Sequence, residues 1–166
     1  MRDPDPAQLA RHLAQASLHW SWFGKVLASL LLISHFAWQY PLLHDWPRLP
    51  ALISIPYAVL LVLVISAGSL SLLSFHLIRS RKNQPFQLIT DRGPYRFVRH
   101  PMYSADLLLG GAFALFPLTI ASLALWALLL ICVVLQARHE DRLLATSFPE
   151  AHSAWRRRSG LLIPRL

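Results

Sequence analysis

Three long apolar runs, residues 24–43, 49–75 and 103–136, decide what this chain can fold into. A helix of about 20 apolar residues crosses the roughly 30 Å hydrocarbon layer of a membrane. The composition agrees, since 55% of the 166 residues are hydrophobic and only 14% are charged, which lies outside the usual range of soluble proteins. We therefore predict an all-α integral membrane protein with about four transmembrane or deeply inserted helices.

The last apolar run is divided near its middle by Phe116-Pro117. Its first arm, about 14 residues at about 1.5 Å each, reaches only roughly 21 Å, less than the hydrocarbon thickness. We therefore predict a helical hairpin over residues 103–136 that enters the membrane deeply, whether or not it crosses completely. Residues 24–43 and 49–75 are predicted to span.

The segments outside these runs complete a single predicted membrane domain. Residues 1–23 begin with Asp5 as a candidate helix cap before Pro6, which indicates an N-terminal interfacial helix. Residues 76–102 form a predicted loop and residues 137–166 a predicted cap, whose aromatic and basic pattern suggests a helix against the membrane face.

The distribution of positive charge predicts which parts of the chain face the cytoplasm. The loop at 76–102 holds six Lys and Arg residues, whereas Arg48 is the single one between the first two spans. By the positive-inside rule the loop, the cap and both termini are cytoplasmic. The formal charge of +8 fits a basic face on anionic membrane lipids. Because the arginines are interleaved with spans, we do not expect nucleic acid as a partner.

Three polar clusters, at residues 99–103, 138–142 and 156–158, fall on this predicted cytoplasmic side. The antiparallel arms of the hairpin would bring the first two together. Arginines there could hold a carboxylate or phosphate, and the acids could hold ribose hydroxyls. Aromatic side chains could face an adenine or a sulfonium, so the set favours a charged, nucleoside-like cofactor.

A metal site is not predicted. The eight histidines are scattered and none shows the His-x-x-x-His spacing of a ligand pair,. Cys132, the only cysteine, lies in an apolar run and is interpreted as a packing residue.

Two ordered stretches resemble a known family. Residues 93–103 read Gly-Pro-Tyr-Arg-Phe-Val-Arg-His-Pro-Met-Tyr, and after the hairpin come Glu140-Asp141, residues 148–155 and Ile163-Pro164. Over about the C-terminal half, this pattern is similar to that of the integral-membrane methyltransferases, which include isoprenylcysteine carboxyl methyltransferase and the phospholipid N-methyltransferases.

The resemblance implies S-adenosylmethionine as methyl donor, held by the cytoplasmic cap at 137–166. It also implies a lipophilic or small-molecule methyl acceptor that arrives from the bilayer, and a location in a bacterial inner membrane. The cofactor-binding residues implied are Tyr95, His100, Pro101, Tyr103, Glu140 and Asp141. Arg99 and Arg158 match arginines that lie near the reacting carboxylate in the prenyl-protein members, and are the predicted catalytic residues.

Several positions depart from the family pattern. The family usually has Glu-Glu at Glu140-Asp141, and tyrosines where this chain has His152 and Trp155. The acceptor is therefore left open between a carboxylate, an amine and a thiol, and the oligomeric state is open as well. Two other functions remain possible: a membrane reductase of the sterol-reductase type using a nicotinamide cofactor, and a non-catalytic membrane protein that retains the pocket.

Overall fold

The computed structural model describes residues 20–44, 54–80, 90–115 and 118–165. These ranges form five α-helices. They are α1 (Trp20–His44), α2 (Ser54–Ser80), α3 (Pro101–Leu115), α4 (Ile120–Ser147) and α5 (Pro149–Arg158). A 3₁₀ turn, Gly93–Arg96, precedes α3. The described ranges contain no β-strand, which confirms the all-α class.

Parts of five predicted segments lie outside the described residues. The interfacial helix predicted over 1–23 is one of them, except for its last four residues, which belong to α1. The others are the start of the span predicted at 49–75, the middle of the loop predicted at 76–102, residues 116–117 of the predicted hairpin, and Leu166 at the end of the predicted cap.

The helices pack in pairs around small side chains. α2 lies along α3, α1 lies along α4, and α3 packs against α4. A buried cluster joins α1, α3 and α4 and consists of Ala28, Leu32, Ala114, Leu129 and Val133. Small residues at such contacts allow helix backbones to approach closely. These contacts fix α3 and α4 side by side, which matters for the site.

The outer surface of the helices is apolar. Large exposed hydrophobic side chains occur on α1, α2 and α4, including Leu30, Val62 and Ile131. Such a surface suits hydrocarbon rather than water. Among the described residues, α4 is the one helix long and apolar enough to cross a membrane by length and composition. A shorter apolar helical stretch covers Val62–Leu77. The arrangement of four spans stays a prediction.

α4 extends further than the sequence suggested. It begins with a capping box, in which Thr119 and Ser122 exchange hydrogen bonds between side chain and backbone. It then runs past the predicted end of the hairpin at 136 and continues without a break to Ser147. Residues 137–147 contain neither glycine nor proline, so nothing ends the helix before Pro149 begins α5. The charged end of α4 is thus a rigid extension of its apolar part.

The segment after α5 folds back onto the loop before α3. The amide of Arg99 donates to the carbonyl of Gly160 at 2.8 Å, and the amide of His100 donates to the carbonyl of Leu161 at 3.1 Å. The Gly160 amide in turn donates to the carbonyl of Phe97 at 3.0 Å. A short parallel bridge between Val98 and Gly160 results. It holds the loop that carries Arg99 and His100.

We expect Gly160→Ala to destabilise this bridge. A Cβ at this position would lie 1.7 Å from the carbonyl oxygen of Ile163, so the backbone must move. The expected loss is about 2 kcal/mol of unfolding free energy, measured by thermal unfolding in detergent. Gly68→Ala in α2 is the control, because its Cβ would meet nothing within 4 Å. Equal melting temperatures for the two variants would contradict the prediction.

Candidate functional site

The packing of α3 against α4 brings two polar clusters together. Pro101 begins α3. The first residue of a helix needs no amide proton for a bond within the helix, so proline is favourable there. His100 and Tyr103 flank it. Glu140 and Asp141 project from the polar end of α4. Two contacts join the clusters, between positions 42 and 37 residues apart in sequence, as the predicted hairpin requires.

Glu140 lies at the centre of the first group of contacts. Its Oε1 accepts a short hydrogen bond from the Tyr103 hydroxyl and a second from Gln136 Nε2 at 2.8 Å. Its Oε2 lies 3.6 Å from His100 Nδ1. Ser21 on α1 donates to Gln136 Oε1 at 2.6 Å, so α1 supports this carboxylate from behind. One of its two oxygens is thereby fixed, and the other faces His100.

Asp141 lies at the centre of the second group. Its Oδ1 accepts from Arg99 Nε at 2.8 Å and lies 3.0 Å from His152 Nε2. Asp141 follows the apolar part of α4 and lies in the polar extension of that helix. Burial disfavours its charged form, but contacts with His100 and His152 and the charge of Arg99 outweigh this effect and hold its pKa well below the usual range.

This depressed pKa predicts a loss of stability in acid. Because the folded pKa lies below the unfolded value of about 3.9, the carboxylate stabilises the fold at neutral pH, and this contribution fades as the pH falls below about 5. Thermal unfolding between about pH 7 and pH 4 should therefore fall more steeply in the parent protein than in Asp141→Asn. Asp91→Asn, at a half-exposed pair, should keep the parent slope. Parallel slopes for the parent and Asp141→Asn would contradict the assignment.

Arg99 links the site to the segment after α5. Its side chain is only 8% exposed, and besides Asp141 it donates from Nη1 to the Ser159 carbonyl at 2.6 Å. A charged hydrogen bond of this kind is stronger than a neutral one. Arg99 thus holds both α4 and the chain after α5, and its guanidinium lies against Asp141.

Trp155 joins α5 to the 3₁₀ turn. Its indole Nε1 donates to the carbonyl of Tyr95 at 2.8 Å, and both side chains are buried. Burial, and then the charge of Glu140, raise the pKa of the Tyr95 hydroxyl above its ordinary value. His152 and Trp155, the positions that depart from the family's tyrosines, therefore each contact the walls of the site.

His100 has a buried nitrogen that suggests a ligand. Its ring stacks on Tyr103, with 5.5 Å between ring centres and 12° between planes. Its Nε2 is buried without a hydrogen-bond partner among the described residues, since Asp141 Oδ1 is 3.9 Å away. A buried polar atom without a partner costs stability. A polar cofactor could satisfy this atom, and the adjacent carboxylates and tyrosines suit a cationic, hydroxyl-rich molecule.

Arg158 lies apart from this cluster. It is half exposed and pairs with Asp91, two residues before the 3₁₀ turn, and its Nη2 lies 3.4 Å from the Thr90 hydroxyl. The structure therefore brings together Arg99, His100, Tyr103, Glu140 and Asp141, with Pro101 and Tyr95 buried beside them. It places Arg158 on the outer side of α5, in an ion pair of its own.

Sequence reasoning missed four polar residues of the site. They are Ser21, Lys25, Asp106 and Gln136. Lys25 Nζ lies 2.9 Å from Asp106 Oδ2 and 4.5 Å from the ring centre of Tyr103. The available signal was an isolated ionisable residue within an apolar run, which generally marks function in membrane proteins. Lys25 and Asp106 both met that criterion.

The site is polar, contains carboxylates and lies at the end of an apolar helical hairpin, in a membrane protein. The pattern of the phospholipid methyltransferase family matches residues 57–151, more than half of the chain, and the chain belongs to this family. The resemblance predicted from residues 93–103 and Glu140-Asp141 is thus confirmed.

One curated relative is the cobalt-zinc-cadmium resistance protein CzcN of Cupriavidus metallidurans. It is 41% identical over 93 residues, which cover 54% of this chain and 40% of the relative. The match therefore spans less than half the length of that protein. No solved structure matches the chain.

Proposed function

We propose that this protein is a membrane methyltransferase that uses S-adenosylmethionine to methylate a lipophilic or small acceptor. The observation that supports this most is the junction of His100 and Tyr103 with Glu140 and Asp141 across the α3–α4 pair. Membership of the phospholipid methyltransferase family supports the reaction class.

The residues of the cluster suit distinct parts of such a cofactor. His100 Nε2, buried without a partner among the described residues, would bind a polar group, and Glu140 Oε2 would accept from a hydroxyl or an ammonium. The faces of Tyr95 and Tyr103 would pack against the adenine or the sulfonium. When bound, S-adenosylmethionine supplies an activated methyl group.

The protein's contribution is mainly positioning. A methyl group passes in line between two atoms, so alignment of the reactants in a site that excludes water can supply much of the rate. Arg99 would act as a positioning residue, since it fixes Asp141 and the segment after α5. Gln136 and Tyr103 fix Glu140 in the same way.

The membrane setting is also part of the proposal. The family and the apolar helix α4 indicate a membrane protein. We further propose a bacterial inner membrane, four inserted helices and both termini in the cytoplasm, based on the charge of the loop at 76–102. Membrane lipids would surround the exposed apolar faces, and the acceptor would enter from among them.

The test is calorimetric titration of detergent-purified protein with S-adenosylhomocysteine, followed by methyl transfer from labelled S-adenosylmethionine to an acceptor panel. Saturable binding and transfer are expected. Competition by a nicotinamide dinucleotide would favour a reductase, and binding without transfer to any lipid, carboxylate, thiol or amine would favour a non-catalytic protein. Absence of binding by folded protein would overturn the proposal.

The name of the relative, which refers to cobalt, zinc and cadmium, does not change this proposal. Among the described residues, no group of three or more His, Cys, Asp or Glu side chains could hold a metal ion.

A further inference from the structure

The first helix, α1, brings two polar side chains to the edge of the proposed cofactor site. Ser21 and Lys25 are four residues apart and therefore lie on the same face of the helix. Ser21 is fully buried, and only 16% of the Lys25 side chain is exposed. The family pattern matches residues 57–151, so α1 lies outside it. The matched pattern therefore does not account for what this helix contributes.

Lys25 differs from the usual lysine near the end of an apolar helix. Such a lysine normally extends its ammonium group away from the hydrocarbon, towards water or lipid headgroups. The Lys25 ammonium instead lies between helices, with Nζ 2.9 Å from Asp106 Oδ2 and 4.5 Å from the ring centre of Tyr103. Because an inward charge is costly in a membrane protein, these contacts indicate a function beyond anchoring.

Asp106 holds the Lys25 ammonium over Tyr103. Asp106 and Tyr103 are three residues apart on α3, so they lie on the same face of that helix. The carboxylate fixes the ammonium through a charged hydrogen bond,, and the cation attracts the electron-rich face of the aromatic ring. The His100 ring also stacks on Tyr103. Contacts from α1 and from the loop before α3 thus fix this ring together.

Two series of contacts lead from α1 to the same oxygen of Glu140. One passes from Ser21 to Gln136 at 2.6 Å and from Gln136 to Glu140 Oε1 at 2.8 Å. The other passes from Lys25 to the ring of Tyr103, whose hydroxyl donates to Glu140 Oε1. Both series fix Oε1 and leave Oε2 for other partners. α1 therefore helps to decide which oxygen of this carboxylate a ligand meets.

We infer that α1 is part of the cofactor site and that Lys25 is a positioning residue, which holds Tyr103 and through it orients Glu140 towards the cofactor. The inference rests on the proposed function for the identity of the ligand, but the contact between Lys25 and Tyr103 can be measured without a ligand. A lysine that only tied α1 to α3 would affect stability and leave the orientation of Glu140 unchanged. The two roles therefore predict different effects on binding.

The first experiment measures S-adenosylhomocysteine binding by calorimetric titration of the detergent-purified full chain. Lys25→Met nearly keeps the length of the side chain and removes its charge. It should weaken binding about tenfold, as expected when a buried cation–π contact is lost. Lys25→Arg keeps a cation that can lie over the ring and should bind within about threefold of the parent. Asp106→Asn, which loosens the ammonium but keeps it, should fall between the two.

A double-variant cycle separates positioning from a purely structural role. If Lys25 acts through Glu140, Lys25→Met should have little further effect in the Glu140→Gln background, so the double variant should bind about as weakly as Glu140→Gln alone. Two independent effects would multiply and make the double variant about tenfold weaker still. A multiplied loss would overturn the positioning role, and so would parent-like affinity of folded Lys25→Met.

A matched pair of serine variants tests the other series of contacts from α1. Ser21→Ala removes the hydroxyl that binds Gln136 and should weaken binding about fivefold, equivalent to one neutral hydrogen bond. Ser29→Ala makes the same change about 12 Å further along the same face of α1 and should bind as the parent does. Equal affinities of the two variants would contradict a role for α1 in the site through Ser21.

The second experiment needs no ligand. The four tyrosines are replaced by 3-fluorotyrosine, and the Tyr103→Phe variant identifies the Tyr103 signal in the fluorine NMR spectrum. Loss of the ammonium in Lys25→Met should move this signal by more than its linewidth, and Lys25→Arg should move it less. An unchanged signal in Lys25→Met would overturn the contact on which the inference rests.

The two experiments keep this inference apart from the proposed function. A parent protein that binds S-adenosylhomocysteine, together with a folded Lys25→Met that binds it equally well, overturns only the positioning role. A folded parent that binds no S-adenosylhomocysteine overturns the proposed methyltransferase, whereas a moved fluorine signal would still support the contact between Lys25 and Tyr103.

Discussion

Arg99→Ala should lower the free energy of unfolding by about 3 kcal/mol, because removing one partner of a buried ion pair leaves the other charge uncompensated. Asp141 would lose its bond to Nε, and the Ser159 carbonyl would lose its bond to Nη1. The pKa of Asp141 should also rise towards its ordinary value. Thermal unfolding in detergent measures the loss, and limited proteolysis after α5 shows whether the chain there detaches.

Arg158→Ala is the matched control for this variant. Arg158 is half exposed and pairs with Asp91 at the surface, so its loss should cost at most about 1 kcal/mol. The double variant Arg99→Ala with Asp141→Asn should recover part of the loss, because the uncompensated charge is removed as well. Equal destabilisation by Arg99→Ala and Arg158→Ala would show that Arg99 has no special role in holding the site.

Glu140→Gln should weaken binding of S-adenosylhomocysteine by about thirtyfold, equivalent to about 2 kcal/mol, and lower methyl transfer at least as much. The amide has nearly the shape of the acid but lacks its charge, and it brings a second donor next to Tyr103 and Gln136. Calorimetric titration and labelled methyl transfer measure the two effects, and thermal unfolding confirms that the variant is folded.

Glu150→Gln supplies the comparison at an exposed position in the first turn of α5. It makes the same chemical change away from the site and should bind the cofactor as the parent does. If folded Glu140→Gln also bound at parent affinity, Glu140 would not belong to the cofactor site.

The sequence predicted the helices that carry this site better than the contacts between their side chains. Length and hydropathy fix where helices lie, and a hairpin must return Asp141 to the level of Arg99. These arguments are local in sequence and need only helix geometry. The end of α4 was harder to predict. The residues after 136 are polar, and a switch from apolar to polar sequence looks like the end of a helix even where the helix continues. The helix continues there because its backbone bonds do not depend on the surrounding medium.

The partners of each charged side chain could not be predicted in the same way. From the family pattern, Arg99 was expected to lie near the carboxylate of a substrate. In the structure it lies against Asp141. Which carboxylate an arginine contacts depends on how the helices pack. Lys25 is the second residue of the first predicted span, 24–43, and nothing in the sequence around it indicates its partner. Its contact with Asp106 joins positions 81 residues apart, and no periodicity in the sequence reports such a distance.

The return of residues 159–162 to the loop before α3 determines when the site can form during synthesis. The helices α3 and α4, which pack against each other, are made first. The loop with Arg99 and His100 acquires its backbone partners only when Gly160 and Leu161 have emerged. A nascent chain that stops at Arg158 would thus be largely helical, yet its loop at 97–100 would lack the backbone partners that hold Arg99 and His100.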